Sequence, residues 1–276
     1  MCVEASPPAD GVPGSGRVGR RGLAPFGLAS FGLALVAIGC ALSCRSAEPA
    51  GPPPAPDLLY ASLVRTATAT RTLRTEGRVT YWGDEGRVRL RTIVLAARPD
   101  RFRVETLTPF EEPIDVVASD GARIWWLSRT DLKVGPATAA RLGEVLPLPL
   151  APRGVVDVLI GGVPTSTAWR PVDVEPGDDD TWALSVVDAA GHRARLWVDR
   201  DGPRVRRIAL PARAEQPAID VELSGHDGPV ARDIDLRVPS RGLEVQIRLQ
   251  SPEYGAAIPD RLFRVEAPPG RASSPW

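Results

Sequence analysis

Lysine is almost missing from this chain. Lys133 is the only one in 276 residues, and there are two histidines, three cysteines and one methionine. So few His and Cys side chains leave little from which to build a zinc cluster or a disulfide framework. Charge of either sign is not in excess, because 34 basic residues face 34 acidic ones, which argues against a nucleic-acid binder that works through a basic field. What remains is ordinary globular material, 43% apolar and 25% charged, with arginine supplying nearly all of the positive charge. The length allows one large or two small domains with a sizeable core.

The one long apolar run, residues 23–39, follows Arg17, Arg20 and Arg21. A positive stretch, an apolar stretch and small residues at the end form the layout of a secretory leader. A transmembrane helix is the rival, but the run contains Pro25 and several glycines and falls short of the roughly 20 apolar residues of a full span. Cys40 follows Ala37-Ile38-Gly39, and Cys44 follows Ala41-Leu42-Ser43. Both settings resemble a bacterial lipobox, with Cys40 preferred as the lipid attachment and Cys44 the alternative. Neither Ala41 nor Arg45 is aspartate, which by resemblance to the enterobacterial sorting rule points to the outer membrane. The Pro/Ala/Gly-rich stretch up to Pro56 reads as an extended tether. The expected organisation is a signal peptide over 1–39, a lipidated N-terminus and tether over 40–56, one domain over 57–270 and a tail over 271–276.

Residues 57–73 place Leu58, Leu59, Ser62, Leu63, Thr66 and Ala69 at helical spacing behind Asp57, a suitable N-cap. From Glu76 the period becomes two. Charged and apolar residues alternate over 87–92, 101–106, 233–238 and 243–249, as in strands wet on one face and buried on the other. Turn signals at 83–86, 98–100, 120–121, 191–192, 201–202 and 227–228 imply antiparallel hairpins. Two short helices are expected over 138–146 and 152–160, the second apolar on most sides and therefore buried against the concave face of the sheet. The resulting fold class is mainly β with helices: an incomplete antiparallel half-barrel of about eleven strands, with a helical lid or plug in its concave face.

Three stretches carry a family likeness: Leu107-Thr108-Pro109-Phe110, then Leu146-Pro147-Leu148-Pro149-Leu150 with the later Gly161-Gly162-Val163-Pro164, and finally Ile258 to Gly270. In this order behind a lipobox they resemble the LolA/LolB-like lipoprotein carriers, across about residues 57–270. The resemblance implies a cavity for acyl chains of lipoproteins or other lipids, a lipid-anchored place on the periplasmic face of the outer membrane, and a periplasmic carrier protein as a partner. It also implies a membrane-contact loop of Leu107, Pro109 and Phe110, although Glu111-Glu112 stand where the family has a glycine. The last stretch resembles the family's closing strand. An envelope-stress sensor on the same fold, binding a partner protein, is the alternative.

The candidates for the cavity lining are Phe102, Val104, Ile124, Trp126, Leu142, Leu146, Leu148, Val156, Leu159, Ile160, Trp182, Leu236, Val245 and Ile247. Trp125 and Trp126 are adjacent and so point to opposite faces. Trp82 and Trp197 fill a core or line the pocket with equal ease, and Phe110 is either a membrane tip or a cap on the core edge. Catalytic residues, metal ligands and cofactors are not expected. His192 and His226 sit in turns, Ser224 and Asp227 are too close in sequence to His226 to converge as a triad, and Asp178-Asp179-Asp180 reads as solvated loop. Gly161-Gly162 lacks the lysine and hydroxyl of a phosphate loop.

Overall fold

The computed structural model describes residues 51–276, apart from 84–85, 130, 147, 166–168, 214–215 and 268–272. The leader, Cys40, Cys44 and Pro147 therefore lie outside the described residues. Helix α1 (Pro56–Ala69) opens with Pro56 in its first turn and Ala55 as its cap, so Asp57 sits inside the helix, where its charge complements the dipole. The helix is shorter than the expected 57–73. Thr66, Thr68, Thr70 and Thr72 alternate, and β-branched residues favour extended backbone, so Leu73 is buried in a strand instead.

Two meanders follow. The first comprises β1 (Thr72–Gly83), β2 (Gly86–Ala97), β3 (Arg101–Leu107), β4 (Pro113–Ser119), β5 (Arg123–Leu127) and β6 (Leu132–Pro136). The second comprises β7 (Arg170–Pro176), β8 (Thr181–Val187), β9 (Arg193–Asp199), β10 (Val205–Leu210), β11 (Ile219–Ser224), β12 (Asp233–Val238) and β13 (Leu243–Tyr254). Between them lie α2 (Ala139–Val145), capped by Thr138 through Arg141 N, and α3 (Pro152–Leu159). A short β14 (Ser274–Pro275) pairs in parallel with β6. All join one open sheet, in the order β14-β6-β5-β4-β3-β2-β1-β13-β12-β11-β10-β9-β8-β7. The described strands number fourteen, not about eleven. The seam between the meanders is the β1–β13 pairing, in which Val79 faces Ile247 and Tyr81 faces Val245.

One face of the sheet carries the main core: Val94, Phe102, Val117, Ile124, Leu196, Ile234, Leu236, Val245 and Ile247 pack there with residues of α1, α2 and α3. On the opposite, outer face, charges pair across strands, as in Arg207–Asp220 at 3.0 Å and Arg237–Glu222 at 2.9 Å. Trp125 and Trp126 divide as adjacent strand residues must. Trp126 packs on the main core, and Trp125 is buried on the outer face with Val116, Ala118 and Val265.

Among the described residues of 258–270, the expected closing strand does not form. Its central residues Asp260–Phe263 form a 3-10 turn. No place beside β13 is open, since β1 and β12 already flank it. The segment instead crosses the outer face, burying Phe263 against Leu95 and Ala97 and Val265 against Val116 and Ala118. Arg103 donates to the Leu262 and Arg264 carbonyls at 3.1 and 3.3 Å and holds it there.

Candidate functional site

The middle of the sheet's inner face is paved by Val79 of β1, Val94 of β2, Val104 of β3, and Val245 and Ile247 of β13. Above them sit Leu146 and Leu148 from the α2–α3 connection and Val155 and Leu159 from α3. These nine side chains line a wholly apolar space of about 40 Å³. That is far below the roughly 300–1,000 Å³ of typical ligand pockets. The lid is closed.

Six of the predicted lining residues surround this void: Val104, Leu146, Leu148, Leu159, Val245 and Ile247. Phe102, Ile124, Leu142, Val156, Ile160 and Leu236 are fully buried in the same core but do not border it. Trp182 belongs to the core on β8, under the Arg200 guanidinium at 4.5 Å, and Trp126 is half-buried beside Trp276 with ring centres 6.0 Å apart. Val79, Val94 and Val155 were not anticipated, yet the alternation along β1 and β2 already places both strand valines on the inner face. Trp82 and Trp197 do not line the pocket. Their neighbours in sequence, Tyr81, Leu196 and Val198, face the core, and the two indoles lie under Arg87 and under Arg195 and Arg207.

Polar contacts fasten the lid at both ends. Arg98, in the β2–β3 turn, donates from Nη1 to Asp157 Oδ1 at 2.6 Å, from Nη2 to the Ile160 carbonyl, and from Nε to the Thr70 carbonyl at 3.2 Å. Thr165 donates to the same carboxylate from its hydroxyl at 2.6 Å and its backbone N–H at 2.8 Å. Asp157 is the one carboxylate in the apolar α3, and its side chain is 2% exposed. Burial pushes its carboxyl above the usual range, against the opposing pull of Thr165 and Arg98. At the other end, the Trp276 indole donates to Glu144 of α2 at 2.7 Å, and the Arg141 guanidinium lies over its ring.

Burial, with the Asp157 charge added, pushes the Tyr60 phenol up to about 12. Tyr60 therefore keeps its proton in the folded protein after an unfolded tyrosine has lost it. Its contribution to stability is complete below pH 10 and is lost as pH rises from 10 through 12. Burial also raises Tyr254, but away from Asp157, so ultraviolet titration of tyrosinate is expected to show a late ionisation near pH 12 that moves down in Asp157→Asn. An unmoved titration would remove Asp157 from the cause.

The β3–β4 loop is a knot of local bonds. Thr108 Oγ1 accepts from the backbone N–H of Phe110 and Glu112 at 3.2 and 3.1 Å, and the Thr108 N–H donates to the Glu112 carbonyl at 2.8 Å. Glu111 adopts φ +67°, the left-handed conformation that glycine reaches without penalty, and Arg91 pairs with it at 3.3 Å. Leu107 is half-buried and Pro109 exposed, while Phe110 stands 87% exposed and caps no part of the core.

No protein-family profile matches the chain, and no curated protein matches it. Solved structures do. A LolA superfamily protein from Nitrosomonas europaea superposes with a TM-score of 0.56 at 12% identity, over 76% of this chain and 97% of that one. The chain has the LolA-like fold. A DUF1329 family protein from Desulfovibrio piger gives a TM-score of 0.58 at 12% identity over the same shares of both chains. A domain described as an outer membrane lipoprotein-sorting protein from Vibrio parahaemolyticus gives 0.52 at 10% identity, over 73% of this chain and 94% of that one.

Elsewhere on this LolA-like scaffold the polar candidates stay apart. His226 Nε2 lies 3.0 Å from the Val205 carbonyl, and Asp227 pairs with Arg232, so neither engages Ser224. His192 bonds Asp188, and Asp180 pairs with Arg200. Among the described residues no three His, Cys, Asp or Glu side chains converge as a metal site, and no helix is long and apolar enough to cross a membrane.

Proposed function

We propose that this protein is an acyl-chain carrier of the cell envelope, tethered through Cys40 to the periplasmic face of the outer membrane and working in lipoprotein or lipid trafficking. The observation that carries the reading is the void walled only by apolar side chains, between the inner face of the sheet and a lid that polar contacts hold shut. The lid swings away, and an acyl chain takes the place of Leu146, Leu148, Val155 and Leu159 against the sheet. Sheltering a methylene contributes about 0.8 kcal/mol, so sixteen carbons are worth roughly 12 kcal/mol if fully covered. That is enough to hold a lipid without catalysis, and the same chain packs against the same valines whether it arrives from a carrier protein or leaves for a bilayer.

Native mass spectrometry of the purified protein is expected to find co-purified acyl species. A protein that arrives empty and takes up no fluorescent fatty-acid probe would overturn the proposal. Phe110 is the membrane contact in this reading. Phe110→Glu is expected to slow delivery of a bound probe to phospholipid vesicles several-fold, while stability stays within about 0.5 kcal/mol, as for exposed sites in general. Delivery at the unaltered rate would end that role for the loop.

A further inference from the structure

A second recess lies on another face of α3. Val155 and Leu159 point to the void, whereas Val158 turns to a cleft of about 190 Å³ whose opposite wall is Ile208 and Leu210 of β10. Trp169 also lines the cleft. The residue is 7% exposed, and its Nε1–H is buried without an acceptor among the described residues. Buried indole N–H groups usually find a partner, and an unmet one is costly. The Arg213 guanidinium lies 5.3 Å from the indole ring and, with Gln216, forms a partly exposed rim.

The charges around the cleft are already committed. Arg213 pairs with Asp188 at 2.8 Å, and Asp157, which contributes to the lid wall, is held by Arg98 and Thr165. The unmet donor of Trp169 is therefore buried beside the cleft in a setting with little net field, within reach of an occupant once the lid shifts. We infer that it is a subsite for the neutral carbonyl of an acyl ester or amide, which accepts a hydrogen bond from Trp169 Nε1–H where the chain joins the rest of the lipid. A free carboxylate is a poorer occupant, because it would be desolvated close to the Asp157 carboxylate with no unpaired cation to meet it. The inference rests on the carrier reading, and it specifies the class of lipid: esterified or amide-linked chains in preference to free fatty acids. Because α3 borders both spaces, one movement of the lid opens the chain site and the linkage site together.

The test uses the full chain and three competitors against a fluorescent acyl probe: palmitoyl lysophosphatidylcholine, its hexadecyl ether analogue, which differs by the missing carbonyl, and palmitate. The ester is expected to bind about tenfold tighter than the ether, the scale of one buried donor gaining its acceptor, with palmitate weaker than the ester. Trp169→Phe keeps a ring but removes the N–H, and it is expected to bind the ester only as tightly as the ether, with ether affinity unchanged. Equal binding of ester and ether by the unaltered protein, palmitate binding tighter than the ester, or a preference that survives in Trp169→Phe would each overturn the inference. The comparison in the unaltered protein decides the matter even if the variant does not fold. Failure of all three competitors to bind would instead overturn the carrier reading beneath it.

Discussion

Arg98→Leu is expected to lower the unfolding free energy by about 3–5 kcal/mol, the usual cost of removing one partner of a buried ion pair. The two side chains are only 10% and 2% exposed, so the stranded Asp157 carboxylate has no water to turn to. The Ile160 and Thr70 carbonyls lose their donor in the same step. Denaturant titration measures the loss, and adding Asp157→Leu should recover part of it, because an apolar pair replaces the orphaned charge while Thr165 still lacks its acceptor. Uptake of an acyl probe should also accelerate in Arg98→Leu, since the guanidinium pins the end of α3 to the β2–β3 turn. A loss below about 1 kcal/mol would show that the lid is held by apolar packing alone.

The second large effect separates core from cavity. Phe102→Ala removes a fully buried aromatic that does not border the void, and is expected to cost about 3–5 kcal/mol with probe affinity little changed. Leu159→Ala removes a wall of the void itself. It is expected to cost about 2–5 kcal/mol and to raise probe affinity, because the emptied volume joins the existing space. Calorimetry gives the first quantity and probe titration the second. If both variants changed affinity alike, the void would have no special place in binding.

Much of this arrangement is legible in the sequence, because strands with one wet face must alternate. Residues 87–92, 101–106, 233–238 and 243–249 all fall inside observed strands. The two short helices appear within a residue of their expected ends, with Thr138 and Leu146 as the caps. The resemblance misled at the closing strand. Phe263 and Val265 are buried as a closing strand's residues would be, but burial does not say whether the partner is a neighbouring strand or the outside of the sheet. Alternating threonines in α1 and β1 satisfied helix and strand patterns together and blurred the boundary between them.

The lid fastening was harder to read. Arg98 and Asp157 lie 59 positions apart, and no local pattern links them. The available signal was Asp157 itself, a single carboxylate among Val155, Val156, Val158 and Leu159, since a buried charge requires a partner. Trp169 carried no local mark at all. Its significance is an unmet hydrogen bond, which exists only once the chain has folded around it.

The seam between β1 and β13 bears on how the chain comes into being. Thr75 of β1 donates to the Gln250 carbonyl, 175 positions away, and Thr72 reaches Ala256 at 184. The hairpin between β1 and β2 can close as soon as both strands exist, but the other edge of β1 has no partner until nearly the whole chain has been made. At roughly 5–20 residues per second, a newborn chain spends on the order of ten to thirty seconds displaying an open strand edge, a ready template for wrong pairing. Val79 and Val245, which line the apolar space, lie on either side of this seam, so that space is completed only once β13 has been made, and a chain cut short before β13 would lack one of its walls.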